Sequence, residues 1–408
     1  MKRYAINKLI EWKNKTKHKP LIIRGARQVG KTWLMKEFGK TEYKKTIYIN
    51  FELEKLMCDL FSLDFDTRRI IEGLELAYSK IDAKNTLIIL DEIQECPKAL
   101  TALKYFYENS PEYNIVAAGS LLGVAIHENI SFPVGKVDFL DLYPLSFLEF
   151  LEAIGENNFV KLLKSPTSPN LKIFKEKYID WLKKYYYIGG MPEVVSVFVE
   201  TNDFKKVRKI QENILDAYTK DFSKHISLTG KLKIDLLWES IPNQITQESK
   251  KFVYKKIKSG ARADEFEEAL SWLVNCGLVY KINRITKPAM PLKAYEDTKA
   301  FKLFILDVGL LSALSKLPAR TLIEGDRIFT EFNGALAEQY VLQQLKTLDD
   351  MEIAYWISKS GNAELDFIIQ TDGYIIPVEV KANTNLQAKS LKVYREKFEP
   401  EILSQIMK

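Results

Sequence analysis

The sequence predicts a multi-domain α/β protein led by an open parallel sheet, on three observations. A chain of 408 residues is too long for one typical core. Short apolar runs recur in its first third, Pro20-Leu21-Ile22-Ile23, Thr46-Ile47-Tyr48-Ile49-Asn50-Phe51, Thr86-Leu87-Ile88-Ile89-Leu90 and Asn114-Ile115-Val116-Ala117-Ala118, and read as strands with mostly helical stretches between them. The third run holds four consecutive aliphatics and ends in two carboxylates, the pattern of a strand covered on both faces of a parallel sheet.

Residues 1–19 read as a helix, Ile6 to Trp12, ending in the basic stretch Lys13 to Lys19. The first strand then runs into Gly25-Ala26-Arg27-Gln28-Val29-Gly30-Lys31-Thr32, which meets the pattern G-x-x-x-x-G-K-[ST] at every specified position. Trp33 to Phe38, stopped by Gly39, reads as the helix that must follow. Gly25 and Gly30 let the backbone turn tightly, so that successive N–H groups and the helix N-terminus face a polyphosphate. Lys31 would reach the β- and γ-phosphates and the Thr32 hydroxyl would sit on Mg²⁺. ATP and Mg²⁺ are therefore the expected ligands, with residues 25–32 lining the phosphates.

Asp91 and Glu92, about 60 residues further on, fall at the C-terminal end of their strand, where open α/β sheets bind ligands. Asp91 is placed to hold Mg²⁺ and Glu92 to activate water. The next strand ends in Gly119-Ser120. Ser120 could contact the γ-phosphate or the water, or simply cap the following helix.

The run Lys19 to Thr32, the Asp91-Glu92 strand, Ala118-Gly119-Ser120, Phe132 to Val137 and Leu142 to Phe147 together resemble the AAA-type ATPases of bacteria and archaea. Members of that family continue into a C-terminal domain long described as of unknown function. Gly189-Gly190-Met191-Pro192-Glu193 and Asp307-Val308-Gly309-Leu310-Leu311 resemble the same family, so the likeness spans most of the chain. It implies ATP hydrolysis, and often an arginine supplied by a neighbouring subunit just before the last core strand. This chain has Lys136 at that place, a poorer match to a planar polyphosphate than a guanidinium.

The resulting domain reading is an ATP-binding core over 1–150, a helical lid over 151–230, a winged-helix-like module over 231–320 and a nuclease-like α/β domain over 321–408. Within the lid, Tyr185-Tyr186-Tyr187 could stack on bases, but core packing is the expectation taken. In the winged-helix reading, Leu232–Ile241, Lys250–Ile257 and Asp264–Cys276 are three helices, followed by strands at Leu278–Ile282 and Phe301–Ile305. The third helix carries Asp264, Glu265, Glu267 and Glu268, which repel phosphate and favour a structural or protein-binding role. Lysines 250, 251, 255, 256 and 258 could still touch a nucleic-acid backbone.

Glu364-Leu365-Asp366-Phe367-Ile368-Ile369, the turn Asp372-Gly373 and Ile375 to Lys381 read as a β-hairpin. Asp366 with Glu379-Val380-Lys381 resembles the D…ExK signature of the restriction-endonuclease-like fold, with Glu338 offered by a preceding helix, Phe329 to Leu345. The resemblance implies carboxylates that hold Mg²⁺ beside a lysine that stabilises phosphate charge; the alternative is a polar exposed face. The chain ends soon after a helix at Leu386–Phe398, so the domain is expected to be minimal or truncated.

The net charge of +6 is concentrated: residues 161–260 hold 20 Lys and Arg against 11 Asp and Glu. That segment could face DNA or be a solvated helical surface. Cys58, Cys96 and Cys276, odd in number and far apart, are expected to be unpaired and to fit a reducing, cytoplasmic setting. With three histidines there is no zinc cluster, no secretory signal follows Met1, and the longest apolar candidate, Asn114 to Ile126, is too short to span a membrane. Expected partners are ATP, and either DNA or another protein, with oligomerisation left open.

Overall fold

Aliphatic content and sheet position coincide in the N-terminal part of the computed structural model. Strands β1 (Leu21–Arg24), β2 (Lys45–Asn50), β3 (Thr86–Asp91), β4 (Asn114–Ala118) and β5 (Asp138–Asp141) form one sheet in the order β2-β3-β4-β1-β5, with every pairing parallel. Every residue of β3 and β4 is buried, whereas the edge strands β2 and β5 alternate. The structure describes residues 1–119, 133, 135–165, 167–222, 227–246, 251–324, 330–381, 389–400, 402 and 404–407. These divide into two compact units, one of residues 2–143 with 275–277, the other of Met1, 144–274 and 278–408. No described helix is long and apolar enough to cross a membrane.

In the first unit, helices α1 (Ala5–Lys13), α2 (Lys31–Glu42), α3 (Lys55–Ser62), α4 (Thr67–Tyr78) and α5 (Pro97–Asn109) connect the strands. Ile47, Ile49, Ile88, Leu90 and Ile115 share a core with Phe61, Ile70, Leu74, Leu103 and Phe106 from α3, α4 and α5. Here one expectation is corrected: Cys58 and Cys96 are not separate thiols but a disulfide, their Cα atoms 5.5 Å apart. Though 38 positions apart in sequence, they are joined by a chain that leads out along α3 and back along β3, so their separation in sequence does not set their distance in the core.

The second unit opens with α6 (Phe147–Ala153), whose Ser146 and Glu149 form a capping box. Helices α7 (Lys175–Ile188), α8 (Pro192–Thr201), α9 (Phe204–Asp221), α10 (Leu228–Ile245) and α11 (Ala263–Asn275) follow. Tyr185, Tyr186 and Tyr187 are buried, so they are core rather than a stacking platform. Strands β6 (Val279–Ile285), β7 (Glu296–Ile305), β8 (Glu352–Ile357), β9 (Glu364–Thr371), β10 (Tyr374–Lys381) and β11 (Ser404–Met407) make a mixed sheet in the order β11-β10-β9-β8-β6-β7. Helices α12 (Val308–Leu314), α13 (Thr330–Lys346) and α14 (Lys389–Phe398) complete the unit. Val341 and Leu342 of α13 pack with Tyr355, Phe367 and Ile369, while Leu391 and Tyr394 of α14 pack with Trp356, Leu365 and Ile368, so α13 and α14 cover opposite faces.

The winged-helix expectation needs correction in two places. The middle helix is only a single turn, Tyr254–Lys256, with Lys250 outside the described residues. The hairpin β6–β7 is no separate wing, because β6 pairs in parallel with β8 and so joins the C-terminal sheet. The apolar residues Ile282, Ile285 and Phe304 required a covered sheet, which a free hairpin could not supply.

Asp307 organises the unit's interior. Its carboxylate is fully buried and accepts hydrogen bonds from the N–H groups of Gly190 (2.6 Å) and Leu310 (3.0 Å) and from Gln343 Nε2 (2.9 Å). Gln343 Nε2 also reaches the Tyr185 hydroxyl, which donates to Leu145 O, and Leu145 N–H donates to Gly190 O at 2.7 Å. Burial pushes the Asp307 carboxyl up, against the pull of its hydrogen bonds. Close approach is what requires glycine at position 309, since a Cβ there would overlap the Ile188 carbonyl. Gly309→Ala should therefore lower the stability of this unit by about 1–3 kcal/mol. The same change at Gly334, a helical site with open space around it, should raise stability by about 0.5–1 kcal/mol. Shifts of the urea midpoint in opposite directions check the pair.

Candidate functional site

The phosphate-loop sequence leaves β1 at Arg24 and enters α2 with Gly30 as its N-cap. Gly25 has φ 151° and lies so close to the Leu142 carbonyl that a side chain would overlap it. Gln28 also has positive φ, 65°, a conformation that non-glycine residues hold only when their surroundings impose it. The buried guanidinium of Arg3 helps to impose it, donating to Val29 O (2.9 Å) and to Tyr143 O (2.6 Å). Lys31 Nζ is turned back onto the loop, donating to Gly25 O (3.0 Å) and Ala26 O (2.9 Å). Burial pushes its ammonium down to about 8, opposed by the Glu92 and Asp91 carboxylates.

β3 carries Asp91 to the same edge. Asp91 is 3% exposed. Its Oδ2 accepts from Thr32 Oγ1 at 2.7 Å and from the Tyr48 hydroxyl at 2.9 Å, while Oδ1 accepts from the Glu92 N–H at 3.1 Å. Glu92 has φ 50° and ψ 46°, and its Oε2 accepts from Gln94 Nε2 at 2.5 Å. Thr32, Asp91, Glu92 and Lys31 thus come together from two segments of the chain. A hydroxyl and a carboxylate are the hard oxygen donors that Mg²⁺ takes, usually one or two side chains completed by phosphates and water, so Thr32 and Asp91 fit that ion.

Sequence reasoning missed Arg3, Tyr48 and Gln94. Gln94 had a signal, standing two residues from Glu92, but Tyr48 reaches Asp91 only through the pairing of β2 with β3, where Tyr48 lies opposite Ile89. Ser120 lies outside the described residues. Lys136 pairs with Glu108 at 3.0 Å and lies over the Tyr107 ring, both on α5 of its own unit.

The C-terminal constellation is arranged differently from its motif. Glu379, 2% exposed, is paired with Lys381 at 2.6 Å, and Asp366 Oδ2 accepts from the Val380 N–H at 2.7 Å. Lys302 of β7, 1% exposed and not flagged by the sequence, has its ammonium 2.5 Å from Glu364, 3.5 Å from Glu338 and 3.9 Å from Asp366. Among the described residues no three acidic, histidine or cysteine side chains converge closely enough to hold a metal ion.

Residues 17–151 match the family model of an AAA domain. The N-terminal unit is similar to an AAA domain. Residues 179–321 and 333–406 match two domains of unknown function, DUF8612 and DUF4143. No curated protein gives a significant match to the chain. Among solved structures, the Walker-type ATPase PABY2304 of Pyrococcus abyssi aligns at 15% identity over 76% of this chain and 94% of that one, with a TM-score of 0.49. The Aeropyrum pernix ORC1 protein in complex with DNA aligns at 12% identity over 78% and 94%, TM-score 0.30. Drosophila ORC bound to DNA aligns at 12% identity over 77% and 94%, TM-score 0.28. The AAA assignment rests on the family match together with the loop and strand-end geometry.

An ammonium near 8 makes nucleotide binding depend on pH. A bound phosphate favours protonated Lys31, so its pKa rises in the complex, and ATP affinity should be flat below about pH 8. Above that, affinity should fall by up to about tenfold per pH unit until the pKa of the complex is passed. Calorimetric titration with ATP between pH 7 and 9.5 checks the sign, and Lys31→Arg should flatten the profile.

Proposed function

We propose that the N-terminal unit binds ATP with Mg²⁺ and hydrolyses it, and that nucleotide state sets what the C-terminal unit does. The observation that carries this reading is the 2.7 Å contact between Thr32 Oγ1 and Asp91 Oδ2, which joins the phosphate loop to the acidic strand end. The loop N–H groups and the positive end of α2 hold the phosphates. Lys31, released from Gly25 and Ala26, pairs with the β- and γ-phosphates. Mg²⁺, held by Thr32 and Asp91, would neutralise charge on those phosphates. Glu92 takes the proton of the attacking water, with Gln94 fixing the orientation of its carboxylate.

The C-terminal pairing of Lys302 and Lys381 with the acidic residues favours a non-cleaving role for that unit. On this second reading ATP gates a platform for another protein. DNA is the competing partner, supported by the basic segment 161–260, and an ATP-controlled nuclease acting through Asp366, Glu379 and Lys381 is the outcome that would displace the platform.

Glu92→Gln should bind ATP like the wild type while turnover falls by about 10²–10⁴. Lys31→Ala should lose binding. Phosphate release measured with Mg²⁺, alone and with duplex or single-stranded DNA, tests the reading; equal turnover by wild type and Glu92→Gln would reject the base assignment. The same DNA, scored for cutting, separates platform from nuclease.

A further inference from the structure

Asp91 Oδ2 has two lone pairs, and in this structure both are taken, one by Thr32 Oγ1 and one by the Tyr48 hydroxyl. The two donors differ in what nucleotide binding asks of them. Thr32 stands at the start of α2, where its hydroxyl oxygen would take the metal through a lone pair while its O–H goes on donating to Asp91. Tyr48 lies on the neighbouring strand, outside the phosphate loop, and reaches the site through its bond to Asp91.

We propose that Tyr48 is a positioning residue for this site, holding the Asp91 carboxylate in the orientation in which it adjoins Thr32 and serves Mg²⁺. The inference rests on the ATPase reading above and names the group that sets the Asp91 rotamer. Two further observations support it. Lys36, one turn along α2 from Thr32, holds its ammonium 3.7 Å from the centre of the Tyr48 ring, which fixes the ring between α2 and β2. The Glu92 N–H secures Oδ1 from the other side, so the carboxylate is oriented by protein donors on both oxygens. Outer partners of this kind typically change metal affinity by about 10–100-fold when removed.

The test uses the full chain with Tyr48→Phe, which keeps the ring and removes only the hydroxyl. ATP affinity measured in EDTA should be unchanged, while the gain in affinity on adding Mg²⁺ shrinks about tenfold and the Mg²⁺ concentration for half-maximal turnover rises by the same factor. Lys36→Ala, an exposed position, should shift both Mg²⁺ readings in the same direction by less, and it keeps the test readable if Tyr48→Phe folds poorly. Loss of ATP affinity in EDTA as well would mean that Tyr48 shapes the pocket generally, and would overturn the inference. So would Mg²⁺ dependence in Tyr48→Phe and Lys36→Ala identical to wild type. A wild type that binds ATP with Mg²⁺ linkage but does not turn it over would instead reject the hydrolysis reading, leaving the linkage comparison to decide on Tyr48.

Discussion

Strand polarity is the constraint on which the N-terminal unit depends. With all five strands parallel, every strand ends at the same edge, and the connections must return along the faces as helices. That edge receives the loop after β1 and the carboxylates after β3, with β4 between them. The site is therefore assembled from residues 59 apart in sequence without any long side chain having to reach. The edge also collects helix N-termini, so an anion placed there meets aligned dipoles as well as Lys31.

The C-terminal unit solves a different problem, the burial of polar groups. Asp307 would be costly in its interior if any of its donors were absent. Glutamines of α13 do much of the remaining work: Gln339 pairs with both the N–H (3.0 Å) and the C=O (2.6 Å) of Ile305, and Gln344 accepts from the Phe147 N–H (2.8 Å). Gln339 thereby acts as a short surrogate strand beside the sheet-edge strand β7. The motifs around Gly189-Gly190 and Asp307-Val308-Gly309 meet at this hub, which explains their presence through packing rather than through chemistry at a ligand site.

The sequence exposed those features whose physics is local. The glycine spacing of 25–32 and the aliphatic run before Asp91 each encode one geometry, and Thr32 and Asp91 do adjoin. Turn chemistry at Asp372-Gly373 likewise placed the hairpin of β9 and β10. What escaped depends on pairing between distant segments. Lys302 meets Glu364 because six strands from two stretches of the chain share one sheet, and periodicity within either stretch cannot show that. Cys58 and Cys96 were misjudged for the same reason, as was the hairpin β6–β7, whose local pattern suits a wing as well as a sheet edge.

The folded-back ammonium of Lys31 makes ligand capture an exchange rather than an addition. Its two bonds to loop carbonyls already satisfy it, so an arriving molecule gains only the difference between phosphate and carbonyl as acceptors. Under the proposed function, a nucleoside or monophosphate would offer less at that position than a polyphosphate, whose charge reaches the place to which the ammonium would move. On the proposed ATP-binding role, the resting loop would set a threshold that favours ligands with a longer phosphate chain.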